Sequence, residues 1–204
     1  MLIYLIRHGK AAGNLSGRYI GKTDEGLCPE GRTALEAIRQ RFLSGKDALP
    51  RPETVYTSAL KRTRETAAVL FPDLPVCVRA GFNECDFGEF EYKNYRELSG
   101  NPSYQRWVDS GGTLPFPGGE SHENFVNRSA ETFSRAVEEL SAGKKTAAFV
   151  VHGGTVMAVM ERFAFPQNGF YAWQVKNGCG FAAELDLAAW QSGCRKLTDI
   201  RSIP

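Results

Sequence analysis

A chain of 204 residues has room for one well-packed core and little room for two. Its 25 Lys and Arg are set against 23 Asp and Glu, a formal net charge of +2 with both signs scattered along the chain. That pattern excludes a nucleic-acid stripe or a polybasic membrane anchor and leaves a small molecule as the expected partner. The five cysteines are odd in number and form no C-x-x-C pair, which fits free thiols in a reducing compartment. No leader pattern opens the chain and no apolar run approaches the roughly 20 residues of a membrane span, so the expected location is cytoplasmic, away from membranes.

Leu2 to Ile6 is continuously apolar, as a strand covered on both faces should be. A polar, Gly-bearing loop follows, and then Leu35, Ile38, Phe42 and Leu43 recur at helical spacing over Gly31 to Leu43, ahead of the breakers between Ser44-Gly45 and Pro52. Thr54 to Thr57 reads as a short strand, with Ser58 placed to cap the helix ALKRTRETAAVLF, and Val76 to Val78 as another strand. From Gly81 to Ser121 regular signals thin out; this stretch is expected to fold over one face of the sheet as a lid. Helical spacing returns from Glu120 to Leu140, with Ser121 near the N-cap. Thr146 to Val151 is a second fully apolar strand, VMAVMERF a helix, and Phe181 to Leu187 and Arg195 to Ile200 closing strands. Strands alternating with helices indicate a layered α/β fold.

Two strands end alike, one in Arg7-His8-Gly9 and the other in His152-Gly153-Gly154. In open α/β sheets ligands bind at the carboxyl ends of strands, so neighbouring parallel strands would deliver both imidazoles to one crevice. Arg7, Arg62 and Asn14 surround them with cations and an amide, and the free N–H groups at Gly153 open a helix, a composition suited to an anion such as phosphate. A neutral imidazole can attack phosphorus, and arginines beside it both disfavour imidazolium and stabilise the transferring phosphoryl group. The leaving alkoxide needs a proton, for which Glu84 and Asp86 are the available carboxylates.

RHG with Asn14 six residues after His8, then SALKRTRETA, FNECDFGEFE, PGGES and VVHGGT, occur in order. Together they resemble the histidine phosphatase superfamily, in its phosphoglycerate-mutase-like branch, over Leu2 to about Met160. The resemblance implies a three-layer α/β/α sandwich with a mostly parallel central sheet, a lid-like insertion at 81–121 and a single domain over 1–204. It implies His8 as the phosphorylated nucleophile, Glu84 as the general acid that later activates water, and His152, Arg7, Asn14, Arg62 and Gly153 around the phosphate. No metal and no cofactor are expected. The implied partner is a small-molecule phosphate ester, acted on by a monomer or homodimer that touches neither nucleic acid nor membrane.

Short chains with the PGGES block resemble α-ribazole phosphatases and broad-specificity phosphatases, and the expected reaction is hydrolysis of small phosphomonoesters through phosphohistidine. One rival is phosphoglycerate-mutase-type phosphoryl transfer, disfavoured because those mutases carry a longer chain with a C-terminal tail over the site. The other is a non-catalytic phosphate-ester binding protein. Two departures from the family pattern stand out: Lys10-Ala11 after RHG, adding a positive charge near the mouth, and Tyr92 where Gly is typical. Lys61 and Arg64 read as solvated, His122 as surface or rim, and Cys85 as a small buried hydrophobe. The insertion's aromatics, Phe82, Phe87, Phe90, Tyr92, Tyr95, Tyr104, Trp107 and Phe116, are divided between lid core and a wall for a ring-bearing leaving group.

Overall fold

An apolar side chain at every position of a strand needs cover on both faces, and the sheet supplies it. The structure, a computed structural model, describes residues 1–43, 49–140 and 143–203, the side chains of 41–43 excepted. In chain order it runs β1 (Leu2–Arg7), α1 (Ala12–Leu15), α2 (Pro29–Leu43), β2 (Thr54–Thr57), α3 (Lys61–Leu70), β3 (Val76–Val78), α4 (Pro102–Asp109) and α5 (His122–Glu138). It continues through β4 (Thr146–Val151), α6 (Gly153–Phe163), β5 (Gly180–Glu184), α7 (Leu187–Gln191) and β6 (Thr198–Ile203). The expected apolar side chains of Phe42 and Leu43 and the breaker Ser44-Gly45 lie outside the described residues.

The strand order is β3-β2-β4-β1-β5-β6. The first four strands are mutually parallel, and β5 and β6 close the sheet antiparallel. Ile3 and Leu5 pack with Phe149 and Val151 against Phe133, Val137 and Val159 of α5 and α6. Tyr4 and Ile6 pack with Ala148 and Val150 against Leu35 of α2 and Ala67 of α3 on the opposite face. The sheet is therefore the middle of three layers, and the unbroken apolar runs of β1 and β4 follow from burial on both sides. Arg7 pairs with Val151 in register, so His8 and His152 leave adjacent strands side by side.

The 81–121 segment differs from the expectation of a cover over a sheet face. Phe82 does pack on Phe149 under the sheet. The remainder forms its own cluster, Cys85, Phe90, Leu98 and Phe116, on Phe125 and Val126 of α5 and Ala158 of α6, above the carboxyl ends of the parallel strands. The expected aromatic division resolves accordingly: Phe90 is lid core, while Tyr95 is 61% exposed and Tyr92 40%.

Two expectations need correction. The N-cap of α3 is Leu60, not Ser58, whose hydroxyl turns inward. The closing strands fall at Gly180–Glu184 and Thr198–Ile203, because Leu187 starts α7 behind the Asp186 cap and a register shift separates Ala182 from Glu184. Tyr92 adopts φ 59°, the left-handed conformation that favours Gly. Its hydroxyl donates to Glu25 at 3.1 Å and its ring lies under the Arg18 guanidinium, contacts that a Gly could not make.

Candidate active site

His8 and His152 emerge from β1 and β4 with ring centroids 5.1 Å apart and nearly edge to face. His8 is 3% exposed and its Nδ1 lies 2.7 Å from the Gly9 carbonyl. A carbonyl oxygen only accepts, so Nδ1 carries the proton and Nε2 keeps its lone pair. The Gly9 peptide is itself held, its N–H donating to the Thr66 hydroxyl at 2.9 Å. Burial first, then Arg62 and Arg7, hold His8 well below the ordinary histidine range, so the ring is neutral at neutral pH. His152 is depressed in the same direction, by burial first and then by Arg62, His8 and Arg7.

The cations approach from two sides. Arg7, at the end of β1, donates one Nη1 bond to the Val175 carbonyl at 2.8 Å, which aims its guanidinium past Gly153. Arg62 is fully buried; its Nη1 donates to the Thr23 carbonyl at 2.7 Å and its Nη2 to the carbonyls of Ile20 and Gly21 at 3.1 and 2.8 Å. The Glu91 carboxylate secures that carbonyl cup from the far side by accepting the N–H groups of Gly21 and Thr23 at 3.0 and 2.9 Å. Burial lowers both arginines from their ordinary value, with Glu84 pulling each the other way.

Arg7 Nε, Arg62 Nε and His152 Nδ1 are buried without a hydrogen-bond partner among the described residues. Buried polar nitrogens in that state are rare, and three of them on residues grouped around His8, two being arginine N–H donors, suit an anion. Asn14 faces the same cavity, its Oδ1 accepting from the Ala11 N–H at 3.0 Å and from Asn177 Nδ2 at 3.3 Å. Asn177 also donates to the His8 carbonyl at 3.1 Å.

Among the described residues Glu84 provides the one carboxylate on the cavity wall. Its Oε1 accepts the Cys85 N–H and its Oε2 the Gly154 N–H, each at 3.1 Å. Burial raises its carboxyl above the ordinary carboxylate range, while those two N–H groups, Arg62 and Arg7 act in the opposite direction. Asp86, the other candidate acid, turns away: its Oδ1 accepts the Gly88 N–H at 2.9 Å and its Oδ2 pairs with Lys22 at 3.2 Å. Gly154 is required by close approach, since a Cβ there would stand 2.4 Å from Glu84 Oε1.

Arg7, His8, Asn14, Glu84, Gly153 and Gly154 border a cavity of about 420 Å³. Its outer walls are Tyr19, Phe87, Trp107, Phe116, Phe170 and Tyr171, with Met157 and His122 among the others. His122 sits at the rim, as expected, edge-on to Phe170. Lys10 is exposed and is not among the residues that line the cavity. Arg62 and His152 lie just behind the wall rather than on it. Asn177, Thr66, Glu91 and the inward Ser58, whose Oγ lies 2.8 Å from His152 Nε2, escaped sequence reasoning. Only the Asn177-Gly178 turn left any local signal. Among the described residues no three His, Cys, Asp or Glu side chains are placed to share a metal ion, and no helix is long and apolar enough to cross a membrane.

Comparison with known proteins agrees with this architecture. The chain is 31% identical over 168 residues to 2,3-bisphosphoglycerate-dependent phosphoglycerate mutase 2 of Gloeobacter violaceus, covering 78% of this chain and 74% of that one. It is 26% identical over 191 residues to the adenosylcobalamin/alpha-ribazole phosphatase of Escherichia coli, covering 91% of each. The fold superposes on the crystal structure of the alpha-ribazole phosphatase from Shigella flexneri with a TM-score of 0.81 at 22% identity, over 100% of this chain and 96% of the other. Residues 3–194 match the family described as the histidine phosphatase superfamily (branch 1), and the chain belongs to that superfamily.

Proposed function

We propose that the protein is a phosphatase that hydrolyses small-molecule phosphomonoesters through a phosphohistidine at His8, without a metal. The observation that carries this reading is the set of three partnerless buried nitrogens, on Arg7, Arg62 and His152, around an imidazole whose Nε2 lone pair is free. In the first step His8 Nε2 attacks phosphorus, the P–O bond to the leaving group breaks, and Glu84 gives its proton to the departing oxygen. Arg7, Arg62, His152, Asn14 and the Gly153 N–H stabilise the phosphoryl oxygens as charge redistributes. In the second step Glu84, now ionised, takes a proton from water. The water oxygen bonds to phosphorus, the P–N bond breaks, and phosphate leaves. The arginines supply the positive charge that a metal contributes in other phosphoryl-transfer sites.

Cavity chemistry favours hydrolysis of esters with a ring-bearing leaving group over phosphoglycerate transfer. A phosphoglycerate carboxylate needs a cation beyond the phosphate pocket. The outer cavity offers Arg18, whose guanidinium is already bound by Glu97 at 2.8 and 3.0 Å. Aromatic walls match the ring-bearing alternative, and alpha-ribazole phosphatases among the relatives are consistent with it. The mutase name of the Gloeobacter relative keeps transfer as the second reading. Phosphate release from a panel of phosphomonoesters in EDTA, native protein against His8→Ala, tests the proposal. Turnover that needs His8 and exceeds phosphoglycerate interconversion is expected; turnover that survives in His8→Ala, or requires a divalent ion, would overturn it.

A further inference from the structure

We infer that Arg128, on α5, is a positioning residue for the acid: its guanidinium gathers the carbonyls of the segment that carries Glu84 and so sets where the carboxyl stands. The inference rests on the reading of Glu84 given above. Arg128 Nη1 donates to the carbonyls of Gly81 and Asn83 at 2.9 and 2.8 Å, and Nη2 to the carbonyl of Glu84 itself at 3.4 Å. Nε and Nη2 make a fork to the Glu120 carboxylate at 2.9 and 2.7 Å. A guanidinium has five N–H donors, and all five are used within the protein. Arg128 therefore has none left for substrate, and it does not border the cavity that holds His8 and Glu84.

The segment it grips needs such a partner. Ala80–Phe82 is a single 3-10 turn, after which the chain turns extended at Asn83 (φ −57°, ψ 150°), so the carbonyls of Gly81, Asn83 and Glu84 have no ladder to join. One planar fork serves all three, which a Lys ammonium on a flexible stem cannot reproduce. Arg128 is braced in turn. Its guanidinium lies 5.1 Å over the Phe125 ring, and a Cβ at Gly154 would stand 2.9 Å from that ring, so Phe125 sits between the clamp and the Gly154 N–H that Glu84 Oε2 accepts. On the other side, the Asn83 side chain accepts the Ala59 N–H at 3.0 Å, tying the segment to the turn that carries Ser58. Glu120 closes the system at the end of the lid, its own N–H donating to the Asp86 carbonyl at 2.9 Å. Lid, acid and α5 thus meet at one charge-neutral pair, which adds no net charge beside the acid.

The test compares two esters that differ in their need for an acid: 2-phenylethyl phosphate, which must release an alkoxide, and p-nitrophenyl phosphate, whose phenolate leaves unaided. Arg128→Lys should lower kcat/KM about 10- to 100-fold for the first and little for the second, the size expected of a misplaced catalytic group. The same substitution added to Glu84→Gln should bring almost no further loss, because there is no acid left to misplace. Equal losses on both esters, or a full additional loss in the Glu84→Gln background, would show a merely structural role and overturn the inference. Should Glu84→Gln itself fail to separate the two esters, the acid assignment falls and this inference with it. If Arg128→Lys does not reach the native fold by circular dichroism, Glu120→Gln, which frees one side of the fork, carries the same expectations and the same refutation.

Discussion

Replacing Glu84 by Gln keeps the side chain's size and removes its proton. In the structure the two carboxyl oxygens accept the Cys85 and Gly154 N–H groups, both at 3.1 Å. An amide retains one acceptor and turns an NH2 toward the other N–H, a loss of one buried hydrogen bond, about 1–3 kcal/mol of stability. Activity should respond differently for different leaving groups. For 2-phenylethyl phosphate, loss of general-acid help should lower kcat/KM by about 10²- to 10⁴-fold, a barrier increase of about 3–5 kcal/mol. For p-nitrophenyl phosphate, phosphorylation should proceed nearly as before while water activation is lost. The mutant should then release a burst of one equivalent of nitrophenolate and turn over slowly afterwards. Initial rates and stopped-flow absorbance at neutral pH, with melting curves to confirm the fold, give the result. An equal fall in kcat/KM for both esters, without a burst, would refute the assignment of Glu84 as proton donor.

Other consequences follow from the same geometry. His8 and His152 are held neutral by burial, so the unfolded chain takes up protons below about pH 6.5 that the folded one refuses, and stability falls as pH drops through that range. Two such histidines give a slope of up to about 2.7 kcal/mol per pH unit. Glu84, raised by burial, holds its proton in the fold and offsets up to one of them above its ordinary range, so Glu84→Gln should steepen the acid limb and His152→Asn flatten it in denaturant titrations. A mutant slope identical to the native one would contradict the buried, neutral assignment. Gly154→Ala should lower kcat for alkyl phosphates well beyond Gly153→Ala, since the new Cβ would press on Glu84 Oε1 at 2.4 Å, against 3.3 Å from Arg7 Nε at Gly153. Equal effects at the two glycines would mean that the acid tolerates displacement. Trp107→Ala should raise KM for 2-phenylethyl phosphate about 2- to 10-fold with kcat retained, the worth of one aromatic contact. An unchanged KM would place the leaving group elsewhere.

The part of the candidate site that carries the two histidines was legible because it sits on elements whose burial shows in the sequence. β1 from Leu2 to Ile6 and β4 from Ala147 to Val151 are apolar since helices cover both faces, and a histidine follows each strand as it leaves the sheet. The supporting residues were not legible, because what makes them matter is distance along the chain. Ser58 looks like a cap, yet its hydroxyl serves a histidine 94 residues away. Arg128 is one more charge on an amphipathic helix until its carbonyl partners, more than 40 residues earlier, are seen. The last strand slipped because an exposed edge strand carries no continuous apolar run: β6 buries only Ile203. Tyr92 shows the reverse situation, a residue that breaks the local rule for positive φ and is held by Arg18 and Glu25.

The central claim is a covalent bond between phosphorus and His8 Nε2. Rapid quenching of the native protein with a ³²P-labelled phosphomonoester in EDTA, followed by peptide mapping, tests it most directly. The account predicts up to one labelled phosphate per chain, labile in acid and stable in alkali, located on the peptide that contains His8, lost in His8→Asn and accumulating in Glu84→Gln. Label on a hydroxyl or carboxyl side chain, or full turnover by His8→Asn, would contradict it.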